Sequence, residues 1–333
     1  MVPVLFTATD RASTKATGVT AEGEAAITRW AVFAFEDGGT WFRYETSEGG
    51  EPIPMNLKAG TDYTCYAIVN YPVSGTGAFV PAAVRSESDL TGKVAWLGDN
   101  AAGRLLMFGS EPVTPSATFR DPEHPETAVS QTRSIRVRRV VSKICVDGVS
   151  VDFSGQPLLA GKTFTLRHIY VTNAYRTARY GSDYGADELS GARASWYNTG
   201  GWHRGESGED GMDALLGDRD INAVITQDSP HTSTHSFYVF PNVTAIADDD
   251  HQMDVWTRRC TRIVIEATLG DEAVYYRIDV PSMERNHIYT ATDVVIHGKG
   301  SSDPEVPDSD ADPLDVTITW QDGWDGDGGE LDL

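Results

Sequence analysis

The sequence lacks the motifs by which most enzymes and nucleic-acid-binding proteins are recognised. Its 333 residues contain no glycine-rich phosphate loop, no G-x-S-x-G turn and no dinucleotide fingerprint. Basic residues are scarce, since 27 Lys and Arg stand against 49 Asp and Glu, which gives a formal net charge of −22. Such a charge repels a phosphate backbone. We therefore expect a protein that is not an enzyme, holds no cofactor and binds no nucleic acid.

Cysteines and long apolar runs are scarce too. The three cysteines, Cys65, Cys145 and Cys260, lie far apart and do not form the closely spaced pairs of a zinc site. Three core thiols are favoured, and a single disulfide stays open as the alternative. No apolar run reaches the 18 residues of a membrane-spanning helix. No secretory leader precedes the strand-like start, so we expect that Met1 stands in place of a removed leader.

Short segments of alternating apolar and polar residues dominate what is present. Helix candidates are confined to residues 90–94 and 213–216. The alternating segments are residues 4–8, 30–35, 63–69, 134–138, 163–171, 236–240, 261–267, 273–280 and 289–296. Many short strands separated by Gly, Pro and Asp turns indicate an all-β protein built from sandwiches or barrels.

The domain organisation follows from changes in composition. A proline-rich stretch over residues 112–125 precedes a basic strand pair, so residues 1–136 and 137–299 are predicted to form two β-sandwich domains. Residues 300–333 are predicted to form an acidic linker and a C-terminal strand. They contain eleven Asp and Glu but no Lys or Arg.

The C-terminal strand has the clearest alternation in the chain. One face carries Leu314, Val316, Ile318 and Trp320, and Asp and Thr residues occupy the other. An extended linker of about a dozen residues spans up to ~40 Å. The strand can therefore reach a neighbouring molecule, although packing within its own domain stays open as the alternative.

Few residues are candidates for a binding site. His231 and His235 would face a metal ion on a helix, but on a strand this spacing separates them by about 13 Å, so no metal site is expected. The acidic loops at residues 248–254 and 322–332 read as solvated surface rather than calcium ligands. Residues 185–228 form a long region without clear strand alternation, and Trp196 and Trp202 within it could stack on a sugar ring.

Several segments together resemble the fimbrillin family, the major and minor subunits of Bacteroidales type V fimbriae. Each segment is short, and the resemblance lies in their order and spacing over about 300 residues. The segments are residues 53–60, 63–70, 105–109, 138–144, 236–242, 283–289, 297–304 and the final strand ending at Trp320.

The resemblance implies two transthyretin-like Greek-key β-sandwich domains and export as a lipoprotein to the cell surface. It also implies that a trypsin-like protease cuts after a basic residue, here Arg11, and removes the first strand with Val4, Phe6 and Ala8. The groove left behind would accept an extended strand from another subunit, for which residues 314–320 are the donor candidate. Strand addition satisfies backbone groups and apolar pockets at once, and a head-to-tail contact of this kind builds filaments.

Three functions stay open at this point. The first is a structural subunit that polymerises with other fimbrial subunits by strand exchange. The second is a tip or accessory adhesin that binds a host or bacterial surface glycan or protein through the Trp196 and Trp202 region. The third is a secreted enzyme, for which the sequence offers no convergent set of titratable residues.

Overall fold

A computed structural model describes residues 1–10, 23–38, 42–116, 131–181, 196–197, 213–243, 260–280, 282–304, 314–322 and 328–331. These residues form an all-β protein, which confirms the predicted fold class. The chain divides into two compact units, Met1–Val140 with Arg179–Asp183 and Val141–Ala178 with Tyr184–Leu333. The boundary predicted after residue 136 lies within a strand that continues to Arg139, and the predicted division of the chain stays a prediction.

The first unit is built on one seven-stranded sheet with short helical turns on its connections. Its strands are β1 (Val2–Asp10), β2 (Arg29–Glu36), β3 (Phe42–Glu48), β4 (Ile53–Leu57), β5 (Tyr63–Val69), β6 (Val94–Trp96), β7 (Met107–Val113) and β8 (Gln131–Arg139). Its helices are α1 (Glu87–Thr91) and two 3-10 turns, Pro81–Ala83 and Leu97–Asp99. The seven-stranded sheet has the order β3-β2-β5-β7-β8-β1-β4.

The core of the first unit is formed by side chains from the strands of this sheet. Alternate residues of six strands meet there because successive side chains of a strand point to opposite faces. β4 shows the pattern plainly, since Ile53, Met55 and Leu57 are buried and the residues between them are exposed. The other strands add Val4, Phe6, Trp30, Val32, Ala34, Tyr63, Cys65, Ala67, Val69, Met107, Val113, Ile135 and Val137.

The second unit contains two five-stranded sheets. Its strands are β9 (Ser142–Val151), β10 (Phe164–Thr172), β11 (Ala174–Tyr175), β12 (Thr177–Arg179), β13 (Trp196–Tyr197), β14 (Gly217–Asp218), β15 (Ala223–Ile225), β16 (His231–Val239), β17 (Thr261–Leu269), β18 (Glu272–Val280), β19 (His287–Ile296), β20 (Leu314–Asp322) and β21 (Gly328–Leu331), with α2 (Asp213–Leu216) before β14. One sheet has the order β16-β9-β19-β20-β21, and the other contains β14-β10-β17-β18 with β15 also paired to β10.

A buried tyrosine fixes the start of one strand in each unit. The backbone N–H of Lys58 donates to the hydroxyl of Tyr63 at 3.1 Å, and that of Glu284 donates to Tyr289 at 2.8 Å. In both cases the tyrosine begins or nearly begins a strand and reaches five residues back, as in the tyrosine corner of other β-sandwiches. Each contact satisfies a turn amide that would otherwise lack a partner beside the core.

Ser301 forms a backbone bridge with Tyr275 of β18, and Gly300 and Pro304 are buried. The described parts of residues 185–228 contain β13, α2, β14 and β15. None of the helices in the described part of the chain is long and apolar enough to cross a membrane.

Candidate functional site at the terminal strands

The first strand, β1, occupies an interior position in the sheet of the first unit. On one side it pairs in parallel with β8, from Val4 with Gln131 to Asp10 with Val137. On the other side it pairs antiparallel with β4, from Val2 with Leu57 to Phe6 with Ile53. Both edges of β1 are therefore hydrogen-bonded, and the parallel partner lies more than a hundred residues away in the chain.

The inward face of β1 completes the core. Val4 and Phe6 are fully buried, and Ala8 packs partly buried against the same cluster. Fully burying a side chain of this size contributes about 1.5–3 kcal/mol. A molecule without β1 would present two apolar slots where these side chains lie now.

Strand β4 depends on β1 for its place in the sheet. Among the described residues β4 has no other ladder partner, because the sheet order ends at β4 beyond β1. Loss of β1 would expose one row of backbone groups on β8 and another on β4. Two strand spacings of about 4.8 Å separate those rows, so the opening fits one extended strand.

Side chains of β8 mark the polar rim of this position. Gln131, which pairs with Val4, is buried, and its amide donates to the carbonyl of Ser116 at 2.7 Å. Further along, the hydroxyls of Thr9 and Ser134 lie 2.8 Å apart on the outer face. The Thr9–Ser134 contact joins the two strands, and the burial of Val4 and Phe6 on the opposite face of β1 fixes which face of the strand points to the core.

The predicted processing residue, Arg11, lies outside the described residues. The described chain ends its first stretch at Asp10, the last residue of β1, and resumes at Gly23. Cleavage after Arg11 stays a prediction.

The candidate donor strand, β20, packs within the second unit. It pairs antiparallel with β19, from His287 with Asp322 to Ile296 with Leu314, and β21 pairs with its other edge. Leu314 and Ile318 are buried, whereas Val316 and Trp320 on the same face are only partly buried. Packing at home is therefore the observed arrangement in the single chain, and donation to another subunit stays a prediction.

Two histidine contacts hold β20 to its own unit. His297 Nε2 lies 2.9 Å from an Asp315 carboxylate oxygen, and the ring centroids of His287 and Trp320 are 5.6 Å apart. The first contact is solvent-exposed and contributes little to stability. These two contacts contribute little stability. The position of β20 depends mainly on its ladder with β19 and on the burial of Leu314 and Ile318.

The predicted ligand loop is placed only in part. Trp196 lies in β13, whose residues pair with Ala174 and Tyr175 of β11. Trp202 lies outside the described residues. A sugar-binding role for these two residues stays a prediction.

The two histidines of β16 meet, against the expectation from their spacing. His231 Nε2 and His235 Nε2 lie 2.8 Å apart, and His235 Nδ1 lies 2.6 Å from a carboxylate oxygen of Asp218. The ladder between β16 and β9 shifts register between His231 and Thr234, so β16 carries a bulge there. The bulge brings the backbones of the two histidines closer than a regular strand would, and their side chains bridge the remainder.

The environment of this pair keeps His231 neutral. Burial lowers the pKa of His231, and the neighbouring His235 lowers it further. Opposite the bulge, Gly148 has a φ of 84°, and a Cβ there would lie 2.8 Å from the carbonyl oxygen of His231. The glycine thus permits the close backbone approach that the bulge requires.

The described residues contain no group of three or more His, Cys, Asp and Glu side chains placed to hold a metal ion. All three cysteines are buried and free, which confirms the prediction of core thiols over a disulfide. Burial raises the pKa of the Cys65 thiol to about 12. Cys65 is therefore protonated and unreactive in the intact core.

Sequence reasoning found the terminal strands but missed what surrounds them. The partners of β1 lie far away in the chain, and the contacts of Gln131 with Ser116 and of Asp218 with His235 join separate segments that no local pattern relates. Of these features, only the bulge had a local signal in the sequence, namely Gly148. A glycine within an apolar strand often marks a bulge or a close backbone approach.

Comparison with known proteins identifies the fold through structure. No family model matches this sequence, and no curated protein matches it with significance. Among solved structures, a "putative cell adhesion protein" from Bacteroides eggerthii is 19% identical with a TM-score of 0.62, and the match covers 97% of this chain and 96% of that one.

Two further similar structures come from Porphyromonas gingivalis. A fimbrilin is 15% identical with a TM-score of 0.60, and the match covers 95% of this chain and 96% of that chain. A tip fimbrial protein with a C-terminal truncation, Mfa3, is 13% identical with a TM-score of 0.50, over 96% of this chain and 99% of that chain. At these identities the likeness concerns the fold, and the transthyretin-like detail of each sandwich stays a prediction. The chain has the fold of the fimbrilin and cell adhesion structures of Bacteroidales, in agreement with the resemblance found in its sequence.

Proposed function

We propose that this chain is a structural subunit of a bacterial surface fimbria, assembled by removal of β1 and its replacement by a strand of another subunit. The observation that carries the proposal is the position of β1 between β8 and β4, with Val4 and Phe6 fully buried. The fold shared with a fimbrilin over nearly the whole length supports it.

The first step of the proposal is cleavage after Arg11 by a trypsin-like protease. Arg11 directly follows the last residue of β1, so a cut there separates the strand from the rest of its unit. Cleavage alone leaves β1 held by two ladders and two buried side chains. A competing strand must therefore displace it, and apolar side chains at alternate positions favour that exchange.

The second step is donation of β20. Its apolar face has the same two-residue period as β1, and two of its four apolar side chains are only partly buried at home. Transfer to a neighbour would bury Val316 and Trp320 more completely. The free energy gained from this burial offsets part of the cost of breaking the ladders with β19 and β21. We expect the release of β20 from its own unit to be the slow step.

The location of the subunit follows from this role. A fimbrial subunit acts at the cell surface, and the proposal includes export as a lipoprotein precursor. The other partners are fimbrial subunits and the processing protease. The adhesin function stays a prediction, since Trp202 and the side chain of Trp196 lie outside what the structure describes.

Limited trypsin digestion tests the first step. We expect an early cut after Arg11, detected by intact mass, followed by oligomers in size-exclusion chromatography. Trypsin also cuts after lysine, so the variant Arg11→Ala with Lys15→Ala should remove both the cut and the oligomers, whereas Arg85→Ala, at an exposed arginine elsewhere in the chain, should change neither. Oligomers that form equally well from the double variant under the same digestion would overturn the removal of β1 as the trigger.

A charge placed on the donor face tests the second step. Val316→Asp should abolish oligomers of the cut protein, because an apolar slot cannot accept an unpaired carboxylate. Thr317→Asp on the opposite face of the same strand should oligomerise normally. Val316 is only partly buried at home, so the variant is expected to fold, which circular dichroism checks. Normal oligomers from Val316→Asp would exclude β20 as the donor.

A further inference from the structure

We propose that His231 and His235 form a two-histidine site that binds a divalent transition-metal ion such as Cu²⁺, Ni²⁺ or Zn²⁺. The carrying observation is the convergence of their Nε2 atoms to 2.8 Å on one strand. Two nitrogens bound to one ion at ~2.0–2.1 Å lie about 3 Å apart when the angle at the metal is near 90°. The two nitrogens therefore lie at the separation of two ligands of one ion. The ring centroids are 5.1 Å apart, so the nitrogens face each other, and a turn of about 45° is needed to aim each lone pair at a shared ion.

Asp218 orients the site from β14. Its carboxylate accepts a hydrogen bond from His235 Nδ1 at 2.6 Å, which places the proton of neutral His235 on Nδ1 and leaves a lone pair on Nε2. A carboxylate behind a histidine ligand is the usual outer partner in metal sites, since it fixes the ring orientation and raises the basicity of the ligand. His235 itself is only 7% exposed, so the turn needed to share an ion falls mainly on the ring of the partly buried His231.

The alternative occupant of the same gap is a proton. With the Nε2 of His235 as acceptor, neutral His231 donates its own Nε2–H across the 2.8 Å separation. A metal ion replaces that proton, which moves to the Nδ1 of His231, because a neutral imidazole binds the ion through one nitrogen and keeps its proton on the other. At lower pH the ion must also displace the extra proton of an imidazolium, so protons and metal compete. The site is reachable because His231 is only partly buried and the Asp218 side chain is 53% exposed.

The site leaves coordination positions open. Two imidazoles supply two ligands, and among the described residues no third side chain completes the shell. Water or a donor from an outside molecule would fill the remaining positions, as in other open sites. The bulge in β16 makes this geometry possible, and Gly148 opposite it makes the bulge possible.

Calorimetric titration of the full chain, purified without a histidine tag, tests the proposal with CuCl₂, NiCl₂ and ZnCl₂. We expect one ion per chain, weaker binding at pH 5.5 than at pH 7.5 because protons compete, and no binding of Ca²⁺, which prefers oxygen ligands. His231→Gln should lose this binding. His297→Gln, which removes a half-exposed histidine elsewhere, should keep it.

Asp218→Asn distinguishes an oriented site from two loosely placed imidazoles. It should keep both ligands but weaken binding by about 10–100-fold. Equal binding by the native chain and His231→Gln, or no binding at about 1 mM ion, would overturn the proposal. Unfolding of His235→Gln would not decide the matter, so the conclusion rests on His231→Gln, whose fold is checked by circular dichroism.

Discussion

At the scale of single residues, Asn70 joins three segments of the first unit. It follows β5 with a φ of 58°, and its side chain is buried. Its carbonyl oxygen accepts from the backbone N–H of Thr28 at 2.8 Å, while its amide donates to the carbonyls of Ala26 and Leu105 at 2.8 and 3.0 Å. Asparagine suits this position because it tolerates a left-handed backbone and also supplies both donors and an acceptor.

Substituting Asn70 separates these two contributions. Asn70→Gly keeps the left-handed backbone and loses the hydrogen bonds, so we expect a loss of roughly 2 kcal/mol in the free energy of unfolding. Asn70→Ala should lose about 1 kcal/mol more, because alanine also strains the positive φ. Urea denaturation measures both. Equal stability of the two variants would show that backbone strain is unimportant here.

Gly109 is required for a different reason, namely the close approach of β7 and β8. A Cβ at Gly109 would overlap the carbonyl oxygen of Arg136 and lie 3.0 Å from the Cα of Val137. The obstacle is backbone, so it cannot rotate away. Since β8 also forms one wall of the β1 position, this glycine determines the geometry of the candidate groove.

We expect Gly109→Ala to destabilise the first unit by about 2 kcal/mol or more, as overpacking against backbone does. Gly50→Ala is the matched control in the same unit, because its Cβ would meet the Ile27 side chain at an ordinary 3.8 Å. Thermal unfolding followed by circular dichroism compares the two. A Gly109→Ala protein as stable as the Gly50→Ala protein would contradict this account of the β7–β8 contact.

At the scale of elements, the first strand of each unit has the same kind of neighbours, one parallel and one antiparallel strand. β1 lies between an antiparallel partner, β4, and a parallel partner, β8. β9 likewise lies between the antiparallel β16 and the parallel β19. The first strand of each unit is thus an interior strand, and its loss would divide a sheet instead of trimming its edge.

Local pattern allowed the strands to be predicted, but not their partners. The alternation of Val4 and Phe6, or of Tyr63 and Cys65, is a property of neighbouring residues and predicts both a strand and its buried face. The parallel pairing of β1 with β8 depends on folding of the whole unit. The meeting of His231 and His235 depends on a bulge opposite Gly148, so a regular strand geometry gave the wrong distance.

Removal of β1 should increase the reactivity of the Cys65 thiol, because Cys65 lies in the same core cluster as Val4 and Phe6. In the intact chain we expect slow alkylation of all three cysteines, because each thiol is buried. After trypsin cleavage and release of β1, Cys65 should react faster as water reaches the core, while Cys145 and Cys260 in the second unit should not.

Peptide mapping by mass spectrometry after iodoacetamide treatment reads each cysteine separately. Cys145 and Cys260 are the internal controls for general unfolding. Faster labelling of all three would indicate loss of the whole fold. Unchanged labelling of Cys65 in a sample that has lost β1 would contradict the groove that the strand-exchange proposal requires.

At the scale of the whole molecule, the net charge of −22 opposes any association between copies of the chain. Residues 300–333 carry eleven of those charges without a single Lys or Arg, next to the strand proposed as the donor. Strand exchange must therefore gain enough from backbone pairing and apolar burial to exceed this repulsion. Dissolved salt weakens the repulsion but not the apolar contacts.

Oligomerisation of the trypsin-cut protein should consequently speed up with salt. The screening length shortens from about 30 Å at 0.01 M to about 8 Å at 0.15 M, which is less than the distance between most charges of two approaching subunits. Light scattering at the two NaCl concentrations gives the rate, with the uncut protein as the control that stays monomeric at both. Slower oligomerisation at the higher concentration would mean that ion pairs between subunits, and not strand pairing with burial of an apolar face, dominate the contact.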